Sequence, residues 1–347
     1  MSRTLQTLTD GLDDDFKKVI ETLQEIFVRV ATRTQGRATH TYGVAARGTA
    51  RIVAPIGFPE NDFFKTGRTF GVILRHSSPG AQKDNRARDG AAASLKFYEG
   101  DADPAAEGFH DVTMNTGRAL FVRTARAFLS MVTTPNPERV EKLVDTGILN
   151  DNILSEGYRS SGSFTDFYYH SQICYELSGG AGPMSYLRYR LVNADRGPER
   201  GNYPTTWKPL GVTVYPPLAD DPRDDMYLKR DFLARFEHGG VRYLLQAQLR
   251  PGDDPAAVDC TAAWDAVRYP WTDLIEIQLN EALTDQDLDV MSVDANRTHP
   301  SIALPLATTG VWPGPQADNF ASLGHARALV YAQARKARAD SPLPHVN

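Results

Sequence analysis

Cysteine is scarce. Cys174 and Cys260 are the only two in 347 residues, and two thiols so far apart supply neither a disulfide framework nor a zinc site. Both are expected to be buried, inert thiols in a reducing compartment. A basic surplus is also missing. The net charge is -5, which argues against nucleic acid as a partner while leaving room for a local cationic pocket. No apolar run approaches the roughly eighteen residues that a membrane-spanning helix needs. The opening "MSRTLQTLTDGLDDD" is polar and acidic, unlike a signal or transit peptide, so the cytoplasm is the expected location. A phosphate loop, a Gly-x-Gly-x-x-Gly fingerprint and a His-Glu-x-x-His pair are all absent. The 8 histidines are scattered without ligand spacing, and no Ser-His-Asp set can be picked out.

What is present is a long alternating chain. Residues 12–31 place Leu12, Phe16, Val19, Ile20, Leu23, Ile26, Phe27 and Val30 at three- and four-residue steps, which predicts a helix. Its apolar face is expected to pack on the body, with contact at a membrane surface as the minor alternative. The stretch 37–54 predicts two strands joined at the glycines. Strands are expected over 68–78, 91–100, 184–193, 241–251 and 272–283, and a hairpin over 111–124 broken at Asn115, Thr116 and Gly117. Helices are expected over 136–149, with Pro137 in its first turn, over 220–240 and over 317–340. Strands and helices do not alternate regularly, which argues against a parallel sheet. The expected class is α+β: an antiparallel barrel of about eight strands with helices outside it. No composition break marks a linker, so residues 1–347 are expected to form a single domain. Its parts are an N-terminal helix (1–35), a barrel with insert helices (36–285) and a final helix (317–340).

Two places carry the chemical interest. The segment "RATHTYG" (37–43) sets His40 between two threonines, a pattern favouring a strand with His40 on one face. In the last helix, Arg327, Tyr331 and Arg338 fall within about 40° of one another at 100° per residue. A charged helix face is ordinarily just solvated. An arginine one turn before a tyrosine also favours a phenolate, a hard anionic ligand suited to ferric iron.

Six ordered segments turn the balance: "RATHTYG", "GRTFGVILRHSSPG", "DNRARDGAAASLKFY", "VTMNTGRALF", "YPWTDLIEIQL" and "SLGHARALVYAQARKAR". Together, from about residue 35 to 340, they resemble the catalase superfamily of haem proteins, and within it the catalase-related allene oxide synthases and small catalase-like peroxidases. The resemblance implies a haem-binding antiparallel barrel carrying haem b, its ferric iron held by the Tyr331 phenolate. Arg327 would pair with the Tyr331 oxygen. Arg37, Arg75 and Arg338 would face the propionates. His40 would be the distal acid–base group, Asn115 the amide that steers a bound peroxide, and Phe121 or Phe128 a side chain closing the distal pocket.

Two positions separate the branches. Catalases carry valine before the distal histidine, and this chain has Thr39. Its hydroxyl sits beside the expected peroxide, as in the allene oxide synthase branch. Ser77 points the other way, because catalases use a serine there to orient the histidine ring. The leading implication is an enzyme that cleaves the O–O bond of an organic hydroperoxide, a polyunsaturated fatty acid hydroperoxide in particular, with dehydration or rearrangement. The alternative is a peroxidase that uses hydrogen or organic peroxide to oxidise a small molecule. A haem-binding protein without turnover is the third reading. The substrate is therefore the expected small-molecule partner. Oligomeric state is left open, a homodimer included.

Overall fold

The computed structural model describes residues 3–59, 61–77, 84–87, 89–135, 139–150, 153, 156–179, 182–201, 217, 219–310 and 312–339. Two helices lead the chain, α1 (Leu5–Thr9) and α2 (Asp14–Thr34). The Asp13 carboxylate caps α2 by accepting the Phe16 N–H at 2.7 Å, with Asp14 and Asp15 in the first turn, where the helix dipole favours anions. Phe16, Val19, Ile20, Leu23 and Phe27 are buried. They face the last helix, α7 (Ser322–Ala339), which is fastened further by His325 Nε2 lying 2.6 Å from the Leu8 carbonyl. The apolar face of α2 is thus covered by the protein itself, which removes the membrane-surface alternative for this helix.

Between these helices the sheet closes on itself as an eight-stranded antiparallel barrel. Its strands are β1 (Gly43–Ile52), β2 (Thr69–Ser77), β4 (Ala92–Tyr98), β5 (His110–Thr116), β7 (Tyr169–His170), β9 (Ser185–Asn193), β10 (Val241–Pro251) and β11 (Thr272–Ala282). Around the barrel the order is β10, β11, β1, β2, β4, β5, β7, β9, and β9 pairs back to β10. β8 (Tyr175–Leu177) continues past a break after β7, pairs with the start of β9, and carries β12 (Ile302–Ala303). β3 (Asp89–Gly90) and β6 (Tyr158–Arg159) form a separate small ladder. Most of β2 is buried on both faces, because one face lines the barrel and the other is covered.

Several expectations change. The segment 37–54 holds one strand, β1, and "RATHTYG" is the loop that leads into it. The loop carbonyls are taken by side chains: Thr41 Oγ1 donates to Arg37 O at 2.9 Å, and Arg75 Nη2 donates to His40 O at 2.9 Å and Thr41 O at 3.2 Å. The backbone therefore has no need of a ladder partner there, and the β propensity of the threonines is overridden. No hairpin forms over 111–124. β5 ends at Thr116, Gly117 turns at φ 89°, and Leu120 N–H goes to Cys260 O at 2.8 Å. The chain then enters α3 (Ala125–Thr133), capped by Thr124. The expected start of the 136–149 helix, residues 136–138, lies outside the described residues, and α4 is described over Arg139–Asp145. The 220–240 helix shrinks to α5 (Tyr227–Ala234). Asp221 and Asp224 accept the N–H groups of Arg223 and Met226 in local turns, and such side chain–backbone bonds compete with the helix. A further short helix, α6 (Asp285–Val290), opens with a capping box made by Thr284 and Asp287.

Two histidines are sealed in the barrel core. His76 stacks on Phe164 with ring centroids 4.9 Å apart, and its Nε2 is 2.8 Å from the Tyr243 hydroxyl. His110 lies 4.9 Å from the Phe63 ring. Burial pulls both down to about 3. A histidine held neutral in the folded state costs nothing above the unfolded value near 6.5, and below it the unfolded chain gains protons that the fold refuses. Unfolding free energy measured in urea is therefore expected to fall as pH drops from about 6.5 towards 4. His76 and His110 imidazole signals should stay neutral at pH 5 by nuclear magnetic resonance, and protonated signals there would refute the assignment.

Candidate functional site

The barrel, α7 and the "RATHTYG" loop converge on one polar chamber of about 820 Å³. α7 contributes Arg327, Tyr331 and Arg338 from one face, four and seven residues apart as helical geometry requires. β2 contributes Arg75 and Ser77, two residues apart and so on the same side of the strand. β5 contributes Asn115, and the loop contributes Arg37, Thr39 and His40. A second, largely apolar space of about 1580 Å³ adjoins it and holds Phe121 and Phe128. Thr39, His40, Asn115, Arg327 and Tyr331 line both spaces. Every site residue chosen from the sequence therefore lines this double cavity.

The residues are ordered along it. Arg37, Arg75 and Arg338 line the polar chamber and also an outer groove, but not the apolar space. They mark one end. His40, Asn115, Thr39, Arg327 and Tyr331 occupy the middle. Phe121 and Phe128, with Leu120, Val122, Met131 and Val132, mark the apolar end.

The arginine end is electrostatically unusual. Arg37 Nη2 donates to the carbonyls of Leu288 (2.7 Å) and Met291 (2.8 Å), and Arg338 Nη2 donates to Met291 O at 3.1 Å. These three guanidiniums are tied to backbone carbonyls and to no carboxylate among the described residues. Burial, then repulsion from Arg338, holds Arg75 down to about 10. Burial, then repulsion from Arg75 and Arg338, lowers Arg37 as well, and Asp289 offsets this only in part. Buried cations of one sign are costly without a counter-charge, so the chemistry of this end suits a ligand with more than one carboxylate. Arg75 Nε and Arg327 Nε are buried with no hydrogen-bond partner among the described residues, on side chains that line the chamber.

The middle differs in detail from expectation. The Arg327 guanidinium stacks over Tyr331, with Cζ 5.1 Å from the ring centroid, so its positive charge is set against the π face. Phe27 from α2 packs on the same tyrosine at 6.1 Å. His40 adopts φ 49°, a left-handed conformation uncommon outside glycine. The polar lining, the cationic end and the apolar end together fit an amphipathic, dicarboxylate tetrapyrrole: Tyr331 for the metal, the arginines for the acids, the aromatic end for the hydrocarbon edge.

Sequence reasoning missed several contributors. Gln172, from the break between β7 and β8, lines the apolar space and accepts the Asn115 Nδ2–H at 3.2 Å. The carbonyls of Leu288 and Met291 hold two of the arginines, and Asp294 pairs with Arg335 at 2.8 Å on the chamber wall. A lone glutamine in a strand-like run and backbone carbonyls in a loop leave no pattern in a sequence.

No family model matches the chain. Its fold is that of the catalases. Catalase A of Saccharomyces cerevisiae superposes with a TM-score of 0.62 at 17% identity, covering 87% of this chain and 61% of that one. A fungal catalase superposes with 0.61 at 15% identity, covering 89% and 63%. The catalase likeness is one of fold, and the relatives by sequence include proteins named for lipoxygenase and allene oxide synthase. It shares 44% identity over 240 residues with the uncharacterized protein y4iK of Sinorhizobium fredii, 67% of this chain and 100% of that protein, so the two belong to one family. It is 30% identical over 331 residues, 94% of its length, to a linolenate 9R-lipoxygenase of Nostoc sp.. It is 27% identical over 318 residues, 89% of its length, to the allene oxide synthase-lipoxygenase protein of Plexaura homomalla. The chain spans 42% and 29% of those two proteins.

Gly43 sets how closely the histidine loop approaches β2. A Cβ there would stand 2.3 Å from the His76 carbonyl oxygen and 2.8 Å from Arg75 Nη2. Gly43→Ala is therefore expected to destabilise the protein by about 2 kcal/mol through overpacking, read as a lower urea midpoint. An unchanged midpoint would show that the loop is free to shift.

Proposed function

We propose that this chain binds haem b through Tyr331 and transforms organic hydroperoxides, with polyunsaturated fatty acid hydroperoxides as the favoured class. The observation that supports this reading best is the order of groups along the cavity: three buried arginines, then Tyr331 with His40 and Asn115, then an aromatic and aliphatic end. That order parallels the cofactor's own chemistry, with carboxylates at one edge, metal at the centre and hydrocarbon at the other edge. The relatives named for lipoxygenase and allene oxide synthase support a lipid hydroperoxide over hydrogen peroxide as substrate.

In this reading Tyr331 is the metal ligand, Arg327 sets a positive charge against it, and Arg37, Arg75 and Arg338 take the propionates. The bound ferric haem supplies the metal at which an O–O bond can be cleaved. The rest falls to the protein. His40 moves a proton between peroxide oxygens, a task suited to an imaidazole near neutral pH. Asn115 donates a hydrogen bond that orients the peroxide. Thr39 places a hydroxyl beside it, and Phe121 and Phe128 keep water from the reacting oxygens. Ser77, lining the same chamber as His40, favours the second reading, a peroxidase acting on a small-molecule donor.

Mixing haem-loaded protein with a fatty acid hydroperoxide is expected to consume the conjugated diene with no added reductant. Consumption only with a phenolic donor would establish the peroxidase, an intact Soret band with no reaction would leave haem binding alone, and rapid oxygen evolution from hydrogen peroxide would overturn the role given to Thr39. Tyr331→Phe is expected to lose or loosen haem, and a normal Soret spectrum in that variant would refute the ligand assignment. Arg75→Gln removes a charge-assisted bond of about 2 kcal/mol, so haem titration should show roughly thirtyfold weaker binding.

A further inference from the structure

Four non-glycine residues among those described have positive φ: Gln35, His40, Gln172 and Arg196. Two of them, His40 and Gln172, line the cavity. The stave of the barrel that β7 begins breaks at Gln172, between β7 and β8. Its φ is 58°, and the turn around it is closed by Ile173 N–H to Ser171 O at 2.5 Å. A non-glycine residue in that conformation is strained, and such strain persists where the surroundings over-determine it.

The surroundings are four hydrogen bonds on a buried amide. Gln172 is 4% exposed. Its two Nε2–H groups are shared among the carbonyls of Thr116 (3.2 Å), Gly117 (3.1 Å) and Ala119 (3.2 Å), and its Oε1 accepts from Asn115 Nδ2 at 3.2 Å. Turning this amide over would set its oxygen against three carbonyl oxygens. Its orientation is thus fixed by the backbone, and it can only accept from Asn115. Asn115 must then present its nitrogen, with one N–H taken by Gln172 and the second left for the chamber.

We propose that Gln172 is a positioning residue that fixes Asn115 as a hydrogen-bond donor to an oxygen or anion bound in the chamber. The inference rests on the haem reading above, since Asn115 then faces a ligand of the metal. The backbone fixes Gln172, Gln172 fixes Asn115, and Asn115 cannot present its oxygen to an acceptor ligand.

The test uses full-length haem-loaded protein and fluoride, an anionic ligand of ferric haem whose affinity and visible band respond to hydrogen-bond donation. Asn115→Leu and Gln172→Met should each weaken fluoride about tenfold, about the worth of one hydrogen bond. The double variant should be no weaker than Asn115→Leu alone, because the two act through one contact. Gln172→Glu, held protonated by the three carbonyl oxygens it faces, keeps an acceptor for Asn115 but only one donor to brace the turn, so it should stay within about twofold of the original. Equal losses in Gln172→Glu and Gln172→Met would mean that Gln172 only braces the turn. Full affinity in Gln172→Met beside a loss in Asn115→Leu would also overturn the proposal. A wild-type protein without a Soret band would sink the haem reading itself, and this proposal with it. Nuclear magnetic resonance of the haem-free wild type gives a check that depends on no variant's folding. One Asn115 side-chain N–H should be protected from solvent exchange, and two freely exchanging N–H signals would refute the contact.

Discussion

Arg75 reaches from β2 to the carbonyls of His40 and Thr41, and that contact holds the histidine loop over the barrel mouth. Much of the site depends on it. The same guanidinium is buried near Arg37 and Arg338, so three like charges are concentrated where their hydrogen bonds, among the described residues, go to carbonyl oxygens and the Asp289 carboxylate offsets the repulsion only in part. Carbonyl dipoles lessen the cost of burying a cation but do not neutralise it. The cluster is therefore both a structural clasp, joining the loop, β2, α7 and the segment after α6, and a standing demand for negative charge.

The barrel makes this demand useful by grading the cavity. Antiparallel closure brings β2, β5 and the broken stave onto one side of the interior, and α7 presents Tyr331 and its neighbours to the same cavity from one face. α2 presses Phe27 against Tyr331, so the N-terminal helix contributes to the site as well as to the core. Cations at one end, polar groups in the middle and aromatic side chains at the other end create a site with direction. An amphipathic ligand has one favourable orientation in it.

Several features were legible in the residues. The three- and four-residue spacing of Phe16, Val19, Leu23 and Phe27 gave the α2 face, because burial follows the helical period. Alternation over 184–193, 241–251 and 272–283 gave β9, β10 and β11 within a residue or so at each end. Arg327, Tyr331 and Arg338 shared a face by arithmetic alone. Other segments misled, each for a physical reason. Threonines flanking His40 signalled a strand, but side chains took the loop carbonyls. Residues 111–124 signalled a hairpin, but no second strand was needed where Leu120 bonded to Cys260. Gln172 carried no signal, since its importance lies in what surrounds its amide.

By itself the sequence determined the long helices and the long barrel strands, that the strands would pair antiparallel, and, through six ordered segments, a likeness to the catalase fold. Those properties follow from periodicity and order along the chain. Only the tertiary structure decided that Arg37, Arg75 and Arg338 are buried together, that Arg327 stacks on the ring of Tyr331, and that Gln172 fixes Asn115. The first and last are contacts between residues distant in sequence, or between a side chain and a backbone carbonyl, and the second is a choice of side-chain rotamer within one helix face. Local composition does not encode such contacts. They exist because barrel closure and the packing of α7 bring the groups within hydrogen-bonding range.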